Sequence, residues 1–83
     1  MSKLKQMSIF AHIVEQGSVS AAAEKLELSK SVVSQHLKIL EQELGASLLK
    51  RTTRRQTLTS MGERFYLSCK DINVIAYSAW DMA

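Results

Sequence analysis

The sequence predicts a mostly α-helical fold, in which three helices and a small β-hairpin are followed by one long C-terminal helix. The 83 residues include no Pro and only three Gly, the two residue types that interrupt helices most often. Apolar residues recur at helical spacing over most of the chain, and residues 46–58, rich in Thr and Arg, break that spacing. With 46% hydrophobic residues, a chain of this length can build one packed domain.

The first predicted helix extends from a possible N-cap at Ser2 to Gly17, which suits the left-handed position after a helix. Apolar residues at helical spacing predict that one of its sides faces the core. These residues are Leu4, Met7, Phe10, Ala11 and Val14. His12 is interpreted as an ordinary polar position of this helix, because no Cys or carboxylate accompanies it as a partner for metal binding.

The second helix is short and is capped by Ser18 or Ser20. Its three consecutive Ala, residues 21–23, combine high helix propensity with small side chains that allow another helix to approach closely. After a tight connection, we expect Leu28 to enter the core and Ser29 to cap the next helix. Two helices joined in this way form the helix-turn-helix pattern.

The third helix, residues 30–44, has two sides of different chemistry at about 100° per residue. The apolar side consists of Val33, Leu37, Leu40 and Leu44. The opposite side is polar or basic without any carboxylate, and consists of Ser31, Ser34, Gln35, Lys38 and Gln42. Taken alone, this pattern is equally typical of an ordinary amphipathic surface helix with a polar outer side. As the second helix of a helix-turn-helix, it would contact base edges in the DNA major groove with its N-terminal residues. The predicted base contacts are Lys30, Ser31, Val32, Ser34 and Gln35.

The segment after Gly45 predicts a small β-hairpin, which we call the wing (residues 46–58). Residues 48–51 and 56–58 are short strand-like segments around a Thr-Thr-Arg-Arg tip. Since the segment holds three Arg and no acidic residue, we expect the tip to lie on DNA phosphates or in the minor groove. The alternative is a solvated loop whose Arg side chains bind nothing. The predicted contacts to the DNA backbone are Ser29, Lys38, Arg51, Arg54 and Arg55.

The last predicted helix begins after an N-cap at Thr59 and continues to the end of the chain, with Gly62 in its first turn where close packing is expected. An apolar seam with a seven-residue repeat predicts that this helix pairs with a second copy of the chain. The predicted dimerisation residues are Phe65, Ile72, Ile75 and Ala79. The alternative is that this side only covers the first helix, and we expect its start to do so while its end pairs. Cys69 is interpreted as a small core or interface residue.

The positive charge is concentrated in the middle of the chain, where residues 30–55 carry six Lys or Arg against two Glu. Such a patch indicates a polyanionic partner. The single Cys excludes an internal disulfide and fits a reducing cytoplasm, where we expect the protein to act. No signal peptide and no apolar run of membrane-spanning length is present in the sequence, and no cofactor is predicted.

These features together resemble the N-terminal winged helix-turn-helix domain and linker helix of the LysR-type transcriptional regulators. The resemblance covers nearly the whole chain. It rests on Phe10, Val14, Gly17-Ser18, Ala21-Ala22-Ala23, Leu26, Leu28-Ser29, Val33-Ser34, Leu37, Leu40-Glu41, Glu43-Leu44-Gly45, Leu48, Arg51, Leu58-Thr59 and Gly62. It implies a bacterial regulator that binds promoter DNA as a dimer or tetramer, with its effector bound by a larger C-terminal domain that this chain lacks.

The resemblance implies that the groove-contacting positions of the family fall on residues 30–32, 34 and 35, and that its wing arginine falls on Arg51. The sequence departs from the commonest family pattern at Lys30-Ser31, at Gln35-His36 and at Leu49. The fold should tolerate these differences, whereas the preferred DNA sequence need not be that of any other member. His36 lies nearer the core side of its helix, where it could brace the helix or reach a phosphate.

The sequence therefore predicts a DNA-binding domain at residues 1–59 and a linker helix for dimerisation at residues 60–83. Its partner would be double-stranded DNA with two half-sites. The alternative function is a winged-helix protein-interaction module without DNA binding, which acidic residues on the third helix or the wing would have favoured. An enzyme is not predicted, because the sequence contains no catalytic dyad, no paired carboxylates and no metal-spaced ligands.

Overall fold

The computed structural model describes residues 3–51 and 55–82 of the chain. It has four helices and two strands, in the order that the sequence predicts. The elements are α1 (Lys3–Gln16), α2 (Val19–Leu26), α3 (Lys30–Leu44), β1 (Leu49–Arg51), β2 (Gln56–Leu58) and α4 (Ser60–Met82). The predicted mostly helical fold is thus confirmed.

Short polar side chains begin α2 and α3, as predicted. The Ser18 hydroxyl accepts a hydrogen bond from the backbone N–H of Ala21 at 3.0 Å, and the Ser29 hydroxyl accepts one from Val32 at 3.1 Å. Gly45 ends α3 with φ of 67°, a left-handed conformation in which Gly avoids the strain of a side chain. The start and end of the helix that presents the polar side are therefore fixed by its own sequence.

The connection between α2 and α3 differs from the expectation in one respect. Glu27 takes the left-handed conformation there, with φ of 57°, and the backbone N–H of Leu28 donates to the carbonyl of Ala23 at 2.9 Å. The prediction that Leu28 enters the core is wrong, since its side chain is 37% exposed. Leu26, two residues earlier at the end of α2, packs against the core instead.

The core lies where α1 meets the other three helices. Its fully buried apolar side chains come from all parts of the chain and include Phe10, Ile13, Val33, Leu48 and Cys69. The predicted apolar side of α3 is confirmed, because Val33, Leu37 and Leu40 are buried and Leu44 packs against the same cluster. The opposite side of α3 consequently faces outward.

The wing is an antiparallel hairpin, as predicted. Leu49 pairs with Leu58, and Arg51 pairs with Gln56. The Gln56 side-chain amide donates to the carbonyl of Ile13 at 3.4 Å, which connects β2 to α1. The wing is therefore attached to the helical core at the end of β2 that lies away from the base of the hairpin.

The start of α4 is held close to the wing. The Thr59 hydroxyl accepts a hydrogen bond from the backbone N–H of Gly62 at 3.0 Å and donates to the carbonyl of Ser47 at 2.7 Å. A Cβ atom on Gly62 would lie 2.1 Å from the carbonyl oxygen of Leu48, so only glycine fits there. The close packing expected at Gly62 is confirmed.

His12 is not the ordinary polar position that the sequence suggested. It is only 4% exposed, and its ring lies between α1 and α4. The prediction failed because the polar partners of His12 lie more than sixty residues further along the chain, on α4.

Candidate nucleic-acid interface

The outward side of α3 presents most of the predicted base-contacting residues together. Lys30, Ser31 and Gln35 are exposed, Val32 is 39% exposed and Ser34 is half-buried. Residues 30–35 occupy the first turns of α3, next to the exposed cap residue Ser29. The N-terminal end of a helix carries partial positive charge, which adds to the charge of Lys30.

This part of α3 carries no negative charge. Its first turn contains no acidic residue, and the exposed Lys38 follows on the same side. The wing adds the exposed side chains of Lys50 and Arg55. The predicted contact Arg51 belongs to β1, and Arg54 lies outside the described residues. An acid-free polar side next to a basic hairpin has the charge and shape that a nucleic-acid backbone and groove require.

Glu41 connects α3 to the wing, a role that sequence analysis missed. Its carboxylate accepts hydrogen bonds from the backbone N–H groups of Leu48 at 2.7 Å and Leu49 at 3.4 Å. A groove of about 420 Å³ lies between α3 and β1, lined by Ser34, Leu37, Lys38, Glu41 and Leu49. Because the carboxylate is engaged by two N–H groups, the wing keeps a fixed position relative to the polar side of α3.

His36 lies away from the polar side of α3. It is 7% exposed, and its Nδ1 atom has no hydrogen-bond partner among the described residues. Burial lowers the pKa of His36, and the charge of Lys5 lowers it further. The neutral form is therefore favoured in the folded chain, and any stability linked to it is lost as the pH falls through the ordinary range of histidine. His36 acts as a packing residue of the helix.

The predicted dimerisation seam of α4 is divided between core and surface. The Phe65 ring packs against Phe10 with ring centroids 5.9 Å apart, and Ile72 is half-buried. Further along, Ile75 is 69% exposed and Ala79 is also exposed. The start of the seam therefore belongs to the core of this chain, and only its end is available at the surface.

Other side chains of α4 extend the exposed apolar surface. Beyond the predicted seam, Val74, Trp80 and Met82 are more than half exposed.

Cys69 is fully buried, and burial raises the pKa of its thiol to about 11, which makes it an unreactive core residue. Within the part of the chain that the structure describes, no cluster of His, Cys or carboxylate side chains could hold a metal ion. No described helix has the length and hydrophobicity needed to cross a bilayer.

Comparison with known proteins identifies the family. Residues 4–63 match the family model described as "Bacterial regulatory helix-turn-helix protein, lysR family". The chain belongs to the LysR family. As a LysR-family chain it carries the helix-turn-helix DNA-binding domain of transcriptional regulators, and the relatives it matches are regulators, not enzymes.

Sequence and structural similarity to individual regulators supports this family assignment. The chain is 47% identical over 70 residues to the HTH-type transcriptional activator AaeR of Escherichia coli K12, covering 84% of this chain and 23% of AaeR. The full-length structure of AphB, a virulence activator of Vibrio cholerae, has a TM-score of 0.88 at 31% identity and covers 98% of this chain and 28% of AphB. The chain thus spans about a quarter of the length of such relatives.

A second solved structure contains DNA. The complex of the BenM DNA-binding domain with catB site 1 DNA has a TM-score of 0.85 at 30% identity, and covers 98% of this chain and 90% of the BenM chain. The similarity to that domain includes the wing and α4 as well as the helix-turn-helix, since it extends over nearly the whole of both chains.

Replacing Glu41 with Ala should destabilise the chain by about 1 to 3 kcal/mol, because the buried backbone N–H of Leu48 would lose its acceptor. The free energy of unfolding in urea measures this loss. Glu43→Ala is the matched control, since Glu43 is an exposed carboxylate on the same helix, and it should change stability by less than about 0.5 kcal/mol. Equal stability of the two variants would contradict the role given to Glu41.

Proposed function

We propose that this chain is the sequence-specific DNA-binding domain of a bacterial LysR-type transcription regulator. In this proposal, α3 lies in the major groove and contacts bases, and the wing lies on the backbone or in the minor groove. The observation that carries the proposal is the acid-free polar side at the start of α3, next to the basic wing. The BenM DNA complex supports it, because that domain shares this fold over nearly its full length.

The residue assignments follow from exposure and chemistry. Gln35 can form a bidentate pair with adenine, Lys30 can reach guanine, and the exposed Val32 can contact a thymine methyl group. Ser31 and Ser34 add hydroxyl groups that pair with any base. The proposed contacts to phosphates and sugars are Ser29, Lys38, Arg51, Arg54 and Arg55.

We further propose that residues 1–59 form the DNA-binding unit and that residues 60–83 form a linker helix that pairs with a second copy. Two copies would then bind two half-sites of one operator. The exposed end of the α4 seam supports this proposal, since Ile75 and Ala79 remain uncovered in the single chain. A longer protein could form tetramers and bind a small effector through a further domain, and it would act on promoter DNA in the bacterial cytoplasm.

The second candidate function, a protein-interaction module, predicts a different response to salt. DNA binding through several Lys and Arg side chains releases counterions and weakens steeply as salt increases. An apolar protein interface weakens little with salt. Because the surface of α3 and the wing is basic, we expect binding that weakens steeply as salt increases.

Three duplexes test the role of Gln35: the preferred site, the same site with the contacted base pair replaced, and unrelated DNA. Replacing Gln35 with Ala should reduce the preference for the first duplex over the second by about tenfold to a hundredfold. Binding to unrelated DNA should stay the same. Affinities for the three duplexes at one salt concentration measure this. Gln42→Ala removes the same side chain two turns further along α3, where it is also exposed, and should leave the preference unchanged. An equal loss of affinity for all DNA in the Gln35 variant would argue against base contact.

Replacing Ile75 with Glu should weaken self-association at least tenfold, since a charged group would enter the paired surface without a partner. Sedimentation velocity over a range of concentrations measures the dimer dissociation constant. Val74→Glu is the control, because Val74 is similarly exposed at 61% but faces about 100° away around the helix. If Val74→Glu disrupts the dimer and Ile75→Glu does not, the proposed seam is on the wrong side of α4.

A further inference from the structure

We propose that four polar residues between α1 and α4 fix the direction of α4 relative to the helix-turn-helix, and so determine the spacing between half-sites that a dimer accepts. We call Ser8, His12, Asn73 and Tyr77 the polar cluster. The proposal rests on the proposed function, because spacing has meaning only for a dimer that binds two half-sites through paired α4 helices. It concerns positioning residues, which lie away from the DNA-binding side of α3.

The polar cluster is a connected set of hydrogen bonds that extends from the buried Asn73 to Tyr77, whose side chain is 54% exposed. The Ser8 hydroxyl donates to the Asn73 Oδ1 at 2.5 Å, and the Asn73 Nδ2 donates to the Ser8 carbonyl at 3.2 Å. The His12 Nδ1 lies 2.8 Å from that same carbonyl, and its Nε2 lies 3.0 Å from the Tyr77 hydroxyl. The rings of His12 and Tyr77 also meet edge to face, with centroids 6.1 Å apart.

The contacts of the His12 ring match both of its tautomers. With the ring hydrogen on Nδ1, His12 donates to the Ser8 carbonyl and its Nε2 accepts from the Tyr77 hydroxyl. With the hydrogen on Nε2, Nδ1 accepts from the Asn73 Nδ2, which lies 3.2 Å away, and Nε2 donates to the Tyr77 oxygen. In either tautomer, His12 is joined to α4 by its hydrogen bond with Tyr77.

Burial makes this arrangement specific. His12 is 4% exposed and Asn73 is 6% exposed, so neither can exchange its protein partners for water. The neighbouring apolar contact between Phe10 and Phe65 tolerates small rotations, since dispersion is weakly directional. Hydrogen bonds between buried groups are lost when the helices rotate or slide, so they favour one arrangement of α1 and α4. A buried polar residue fixes the register of a coiled coil in the same way.

The polar cluster lies at the part of α4 whose orientation would set the geometry of the dimer. The start of α4 is already held by Gly62 against Leu48, and the cluster is attached further out, at residues 73–77. Ile75 lies within that span and Ala79 follows it, so the cluster orients the segment that carries the exposed seam. The 23 residues of α4 are about 35 Å long, and a tilt of about 10° would move the far end by about 6 Å. Successive base pairs are only about 3.4 Å apart, so such a tilt would change the preferred spacing.

The test measures binding to duplexes that carry two half-sites, with the spacer at its preferred length and one or two base pairs shorter or longer. Tyr77→Phe removes one hydroxyl from the cluster, and Asn73→Leu replaces its buried centre with an apolar side chain of similar size. Tyr66→Phe is the matched control, because it removes a hydroxyl that joins the same two helices through the exposed Glu15, at 2.9 Å, outside the cluster.

We expect the wild-type chain and Tyr66→Phe to share one sharp spacing optimum. In Tyr77→Phe and Asn73→Leu, the preference for the best spacer over its neighbours should fall by roughly threefold to tenfold, the factor that one hydrogen bond supplies. Affinity for a duplex with one half-site should stay the same in every variant, which a general loss of folding would not allow.

Two results would overturn the inference while leaving the proposed function intact. One is a wild-type chain that binds paired half-sites with no preferred spacing. The other is an unchanged spacing profile in both cluster variants. If the wild-type chain binds no duplex at all, the proposed function itself fails and the inference fails with it.

Discussion

The backbone of Leu48 is the point on which α3, the wing and α4 all depend. Its N–H donates to the Glu41 carboxylate of α3 at 2.7 Å, and its carbonyl accepts from the N–H of Thr59 at 3.0 Å. The same carbonyl lies against Gly62, where no side chain fits. Because the Leu48 side chain is fully buried, this residue cannot move without disturbing the core. The backbone of this one residue therefore positions α3, the wing and α4 relative to one another.

The attachment of α4 to α1 combines two kinds of interaction with different consequences. Near the start of α4, Phe65 packs on Phe10, and apolar burial of this kind supplies stability with little directional preference. Further out, Asn73 and Tyr77 are joined to α1 by hydrogen bonds, which add directional preference. Beyond the polar cluster the exposed apolar side chains have no cover within the described chain. Successive segments of α4 thus have different roles: the first adds stability, the second sets the direction of the helix, and the last carries the proposed pairing surface.

Local sequence signals predicted most of the fold. The caps Ser29 and Gly45, the apolar side of α3 and the hairpin depend on residues close together in sequence, so spacing alone could identify them. The interactions that were not predicted depend on how separate elements pack, which helical or strand spacing does not show. His12 resembled a surface position because its partner Tyr77 is 65 residues away, and Glu41 resembled an ordinary helix carboxylate because its acceptor role depends on the path of the chain after Gly45. For the candidate site, the exposed residues of α3 followed from the helical repeat, whereas the division of the α4 seam between core and surface required the packing of Phe65 on Phe10.

We propose that the polar side of α3 distinguishes DNA sequences while the chain is paired. The most direct measurement is selection of the 83-residue chain on a pool of random duplexes, followed by sequencing, at two salt concentrations. We expect one enriched site made of two related half-sites, recovered at both concentrations, with weaker total binding at the higher salt. Binding that depends on salt but enriches no sequence, or no binding at either concentration, would contradict it.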